Sequence, residues 1–258
     1  MILRRLGNKK KIAKEIQKHF PPHKIYIEPF FGAGGMFFNK PKAKYNIVND
    51  LDSDVFNLYQ VVMNNKEELY KYIKITPIHS DLIDYWKQNK ETEPIKKALR
   101  FLFLSNLFNP TTGDISRKGY DNGKNIMLDN LDLTFDFLNN VNIRLFNEDC
   151  IKFIDNIGLR GLERPKEDAS MFIYCDPPYI GTDDNYSNSF EKSDHIRLQD
   201  SLEKTGCKFA ISEFDNPFVI EEAKKRNLNI IYIGERQNLK NRRMEILITN
   251  YKPIPTLF

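Results

Sequence analysis

No run of about 20 consecutive apolar residues occurs in this chain, so no membrane-spanning helix is expected. Cysteine is scarce. Cys150, Cys175 and Cys207 are odd in number, far apart and without metal-ligand spacing, which argues against a disulfide framework and a metal site. The opening stretch, MILRRLGNKKKIAKEI, carries charge but no apolar signal core, so a reducing, cytoplasmic setting is expected. Internal repeats and low-complexity tracts are absent. The lone Trp86 and the four histidines point to no site. A strong excess of one charge is lacking too. With 39 basic and 35 acidic residues the net charge is +4, which permits a polyanionic partner without demanding one. The 258 residues, 41% hydrophobic, suffice for one large domain or a core carrying an insertion.

What is present alternates. An amphipathic helix is expected over 8–19, with Ile12, Ala13 and Ile16 on one face and lysines on the other. Strands are expected at 24–27, in YNIVNDLD, in NIRLFNED, at 171–175, in KFAISE, in NIIYIG and in MEILITNY. Helices are expected over 54–75, twice within 80–108 with Pro94 opening the second, and over 131–140, 150–157, 193–204 and 217–227. Residues 109–126, with three glycines, read as a long polar loop or hairpin, and 235–243 as a basic loop. Strand–helix alternation on this scale predicts an α/β fold with a largely parallel sheet and room for an antiparallel hairpin at one edge.

Three short stretches carry chemistry. In EPFFGAGG, Glu28 to Gly35, a strand runs into a glycine turn that lets a ligand approach the backbone. It has neither the sixth-position glycine of the dinucleotide fingerprint, where Phe37 stands, nor the Lys-Ser/Thr ending of a phosphate loop. Asp50 ends the next strand, 18 positions after Gly32, where doubly wound folds place a ribose-binding acid; capping of the following helix by Asp50 and Asp52 is the plainer reading. In CDPPY, Pro177 and Pro178 remove two backbone donors and stop the strand, holding Asp176 and Tyr179 at its carboxyl end. That suits a site, and it also suits an ordinary strand-to-loop junction.

Taken in order, LGNKKKIAKEI, EPFFGAGG, VNDLD, NED, CDPPY and EILITNY resemble the Dam-type DNA adenine-N6 methyltransferases across nearly the whole chain. The resemblance implies a Rossmann-like methyltransferase sheet, mostly parallel with an antiparallel edge strand, formed by residues 1–53 and 141–258. It implies an inserted helical and hairpin target-recognition region at 54–140. The implied cofactor is S-adenosylmethionine, with Gly7, Lys9, Glu28, Phe31, Gly32, Ala33, Gly34, Asp50, Asp149 and Cys150 around it and no metal. The implied catalytic group is Asp176, Pro177, Pro178 and Tyr179. The Asp176 carboxylate and the Pro177 carbonyl would accept the two hydrogens of an adenine amine while Tyr179 stacks on the base. Implied DNA contacts are Asn106, Phe108, Asn109, Arg117, Lys118, Lys124, Asn185, Tyr186, Arg236, Arg242 and Arg243. The plainer reading of each basic stretch is a solvated face.

The implied partner is double-stranded DNA, read by a monomer, with a cognate restriction endonuclease as a companion where the enzyme serves a restriction-modification pair. GATC is the family's commonest target. Gly7-Asn8-Lys9 departs from the family's glycine-glycine-lysine run, Pro110 from its Phe-Asn-Gly, and Ser212-Glu213 from its Ser-Asn. Cytosine N4 or an RNA adenine as acceptor, or a non-catalytic DNA-binding module, are the alternative readings.

Overall fold

The computed structural model describes residues 1–4, 8–108, 114–115, 117–157, 171–181, 190–237 and 242–252, with the side chains of 117–121 and 236–237 left outside it. Seven strands form one sheet: β1 (Ile25–Glu28), β2 (Tyr45–Asn49), β3 (Ile143–Phe146), β4 (Met171–Cys175), β5 (Lys208–Phe214), β6 (Asn229–Gln237) and β7 (Arg242–Thr249). Their spatial order is β3-β2-β1-β4-β5-β7-β6. The pairs β3–β2, β2–β1, β1–β4 and β4–β5 are parallel, and β7 runs antiparallel to both β5 and β6. The antiparallel strand therefore lies one place in from the edge, and β6 forms the edge itself.

Side-chain alternation sorts the sheet into two faces. Ile25, Ile27, Ile173, Cys175, Phe209, Ile211, Ile246 and Ile248 pack against α7 (Cys150–Asp155), α8 (Lys192–Thr205) and α9 (Pro217–Lys225). Tyr26, Val48, Phe172, Tyr174, Ala210 and Leu247 face the other way, toward the N-terminal segment and the helices between β2 and β3. Cover on both faces explains why β1 is buried along its whole length and β4 along all but its first residue.

The helices between β2 and β3 are α2 (Ser53–Asn64), α3 (Lys66–Ile75), α4 (Ser80–Gln88), α5 (Pro94–Asn106) and α6 (Arg117–Asn139). The single helix expected over 54–75 is two. Asn65 leaves the helical region at φ −135°, so α3 turns its own stripe, Leu69 and Ile73, into the cluster. The polar loop expected over 109–126 is helical from Arg117 onward. Met127, Leu131, Thr134 and Leu138 recur at helical spacing and are buried, and this stripe carries the helix back through the glycines. The expected helix over 8–19 is a 3-10 turn, Lys9–Lys11, followed by a short α1 (Ala13–Gln17), with Ile12 at φ −112° between them. The tighter turn points Lys9 inward, where a lysine-coated face was expected.

Candidate active site

The strand order reverses between β1 and β4. Chain order runs from β1 outward through β2 to β3 on one side, and from β4 to β5 on the other. A parallel α/β sheet opens its ligand crevice outside the carboxyl ends of such a pair. Here those ends are Glu28, which leads into the glycine turn, and Cys175, which leads into Asp176. A cavity of about 1010 Å³ lies there. Glu28, Phe31, Gly32, Ala33, Asp50, Asp149, Cys150, Asp176 and Pro178 all border it, so two motifs nearly 150 positions apart in the chain meet at one crevice.

The glycines divide their work. Gly32 has φ +52°, and a Cβ built there meets nothing within 4 Å, so the turn is open toward the cavity. Gly34, expected to face a donor, is turned inward instead. Its φ is +70° and a Cβ there would lie 2.5 Å from Phe38 Cε2, so backbone conformation and packing together account for this glycine. Gly35 lies against Asn8 and the Lys9 backbone, and so admits the N-terminal segment to the site.

Asp50 accepts from the Gly32 N–H at 2.5 Å and from the Asp52 N–H at 2.8 Å. It braces the glycine turn, while Asp52 is the residue that caps α2. Asp149 caps α7, accepting from Ile151 and Lys152 N–H through Oδ1 at 3.1 Å each. Burial, followed by the Asp149 charge, pushes the Cys150 thiol up to about 12, so the sulfur on this wall is a neutral thiol. Burial also holds the Glu28 carboxyl well above the usual range, against the opposing hydrogen bond from Tyr26 Oη at 2.8 Å.

On the Asp176 side of the crevice, Lys9 is only 3% exposed. Its ammonium lies 2.8 Å from Asp176 Oδ1 and 3.3 Å from Glu245 Oε1, and it donates to Tyr179 Oη. Tyr179 Oη donates to Glu245 Oε1 at 2.5 Å. The Tyr179 ring centroid lies 4.4 Å from the Lys9 ammonium and 4.6 Å from the Phe214 ring centroid, the two rings nearly perpendicular. Burial, followed by the Asp176 charge, holds the phenol well above its ordinary pKa. Tyr179 was expected to stack on a base. In this arrangement Asp176 and Pro178, and not the Tyr179 ring, border the cavity.

Beneath the turn that follows, Glu213 accepts from the Ile180 N–H at 3.3 Å and the Phe214 N–H at 2.9 Å. Neither Glu245 nor Glu213 was named as a site residue from sequence, although each is an acid inside an apolar strand, which signals a buried polar group.

The expected DNA contacts scatter. Asn106 spends its amide on the N-terminal backbone, donating to Ile2 O and accepting from Arg4 N, each at 2.9 Å. Phe108 pairs with Ile115 in an isolated antiparallel bridge and lies under Lys87. Lys124 is helical and donates to Lys74 O, at the carboxyl end of α3. Arg242 is exposed, 3.8 Å from Glu235, and Arg243 lies over the Phe214 ring at 5.7 Å. Both belong to β7, so the carboxyl end of the expected basic loop is strand, and its residues 238–241 lie outside the described residues. Gly7, Asn109, Asn185 and Tyr186 lie outside the described residues, as do the side chains of Arg117, Lys118 and Arg236.

A family model for the D12 class of N6 adenine-specific DNA methyltransferases matches residues 6–246. The chain belongs to this family. Relatives of the methyltransferase include the type II methyltransferase M1.LlaDCHI of Lactococcus lactis subsp. cremoris, 24% identical with 95% of this chain and 93% of the relative covered. The DNA adenine methylase of Escherichia coli K12 is 23% identical, with 96% and 93% covered, and that of Vibrio cholerae 24% identical, with 87% and 85% covered. Among solved structures, an rRNA methyltransferase from Streptomyces viridochromogenes aligns at a TM-score of 0.40 and 9% identity, covering 92% of this chain and 82% of that one. Among the described residues of this methyltransferase, no helix is long and apolar enough to cross a membrane.

Proposed function

We propose that this methyltransferase takes its methyl group from S-adenosylmethionine and delivers it to N6 of an adenine flipped out of double-stranded DNA. The observation that carries the reading is one cavity bordered at once by the glycine turn, Asp50 and Asp149 on one side and by Asp176 and Pro178 on the other. The residues fit the cofactor. Gly32 leaves the backbone open, Asp50 offers a carboxylate to ribose hydroxyls, and the Asp149–Cys150 wall is suited to an adenine ring. When bound, S-adenosylmethionine supplies an electrophilic methyl on a cationic sulfur.

The chain's own groups do the rest. An adenine amine is a poor nucleophile because its lone pair is delocalised into the ring. Asp176 and the Pro177 carbonyl accept its two N–H hydrogens and favour a tetrahedral nitrogen with a localised lone pair. The prolines hold both acceptors in place beforehand, so no reorganisation is needed as charge develops. Alignment of the amine behind the methyl is the second contribution. Flipping costs a few kcal/mol of unstacking, offset by phosphate contacts from Arg242, Arg243 and the basic residues near Arg117. Residues 54–140 form the target-reading region in this reading, the enzyme acts as a monomer, and GATC is the first sequence to test.

The test is transfer of labelled methyl from S-adenosylmethionine to unmethylated genomic DNA, followed by sequencing that detects modified bases. Methyladenine in one short motif is expected. Asp176→Ala should lower kcat by about 10²–10³ or more with the donor still bound. Transfer by that variant at the wild-type rate would remove Asp176 from the mechanism. Methylcytosine in place of methyladenine would overturn the choice of acceptor.

A further inference from the structure

We propose that Glu245 is a positioning residue for methyl transfer, whose buried carboxylate receives the Lys9 ammonium when a substrate amine takes over the Asp176 oxygen that Lys9 holds. This rests on Asp176 as the amine's acceptor. Lys9 and Glu245 are 3% and 1% exposed, so neither charge is served by bulk water. One ammonium stands between two carboxylates, 2.8 Å from Asp176 Oδ1 and 3.3 Å from Glu245 Oε1. An arriving amine and the ammonium compete for Asp176. A buried ammonium that loses its counter-charge is strongly destabilised, and without a second acceptor Lys9 would keep Asp176 Oδ1 closed to the substrate. Glu245 lies within ion-pair range already, so Lys9 can change partner by a small displacement and remain neutralised throughout.

The two partners differ in mobility in the way such an exchange requires. Glu245 is held in β7, which is hydrogen-bonded to β5 on one side and β6 on the other. The Tyr179 hydroxyl fixes its Oε1 further. Lys9 hangs on a four-carbon stem from a 3-10 turn seated on Gly35. Tyr179 accepts from Lys9 and donates to Glu245, so it guides the ammonium from one carboxylate to the other without changing its own protonation. No proton is transferred in the exchange.

The experiment is a double-mutant cycle on the full chain with Glu245→Gln and Lys9→Met, reading kcat, DNA KM, donor Kd by calorimetry and the melting temperature. Glutamine keeps the shape and an acceptor for Tyr179 but cannot neutralise an ammonium. Glu245→Gln should lower kcat roughly tenfold or more, with donor Kd and DNA KM within about twofold of wild type. Adding Lys9→Met should cost nothing further and recover part of the loss, because no ammonium is left to strand. A wild-type kcat for Glu245→Gln, or losses that simply add, would overturn the proposal. If Glu245→Gln does not fold, Glu245→Asp replaces it. A reduced kcat recovered by Lys9→Met supports the exchange, and an unreduced kcat or additive losses overturn it. Wild-type transfer by Asp176→Asn would sink the acceptor assignment instead and is read separately.

Discussion

Glu213 illustrates how burial sets the behaviour of single side chains around this site. It is fully buried at the end of β5, and burial pushes its carboxyl up to about 8; the Phe214 and Ile180 N–H groups and Lys9 oppose the rise and Glu245 adds to it. The folded state therefore holds a proton that the unfolded chain, near 4.5, releases. Stability from this group is complete below about pH 4.5 and is lost as pH rises through about 8. The wild-type melting temperature should fall relative to that of Glu213→Gln between pH 5 and pH 8.5, by an amount reflecting a few kcal/mol. Parallel melting curves across that range would show that Glu213 is not protonated in the fold.

His195 runs the other way. Burial pushes it down to about 4, with Glu222 opposing and Arg226 assisting, and Gln199 lies 3.1 Å from its Nε2. The unfolded chain takes up a proton near 6.5 that the folded state refuses, so stability is present above 6.5 and is lost as pH falls toward 4. His195→Gln should flatten the acid limb of a melting-temperature profile between pH 7 and pH 4.5. An acid limb unchanged by the substitution would place the responsible proton elsewhere.

Among the elements, caps and stripes were legible and breaks were not. Pro94 marks the first residue of α5, and Glu93 caps it by accepting from Ile95 and Lys96 N–H at 3.0 and 2.9 Å. Glu93→Ala should cost about 1 kcal/mol, seen as a lower denaturant midpoint with an unchanged slope. The break at Asn65 was hidden because the apolar spacing continues across it, and only packing on α5 and α6 makes the chain turn there. Polar, glycine-containing 117–126 looks like a loop for the converse reason. Its helical state depends on burial farther along, at Met127 and Leu131, and on Lys124 reaching the end of α3. The N-terminal turn joins element to chemistry. Gly35→Ala would push Asn8 and Lys9 away from the glycine turn. It should lower kcat more than it lowers donor affinity, and equal losses in both would show that Gly35 serves the cofactor alone.

For the whole molecule, the reversal of strand order at β1 and β4 makes the crevice, and in the proposed function phosphate contacts hold a duplex over it. If Arg242 and Arg243 each neutralise a phosphate, Arg242→Ala and Arg243→Ala should each flatten the slope of log affinity against log salt by about 0.9. They should weaken binding to all sequences alike. An unchanged slope would move the DNA face away from β7.

Strand–helix alternation, the order of the motifs and the residue types at the site follow from local pattern. Periodicity, caps and prolines act within a few positions of themselves, so they announce an α/β fold with an acid and an aromatic behind a strand, and the family resemblance of the ordered motifs adds the methyltransferase. The company those groups keep does not follow. Lys9 meets Tyr179 across 170 positions, and Tyr179 meets Glu245 across 66. A period of two says which face a strand residue takes but not which strand lies beside it. The insertion of β7 between β5 and β6 brings Glu245 under Tyr179, and the packing of the N-terminal turn on Gly35 delivers the ammonium to both carboxylates.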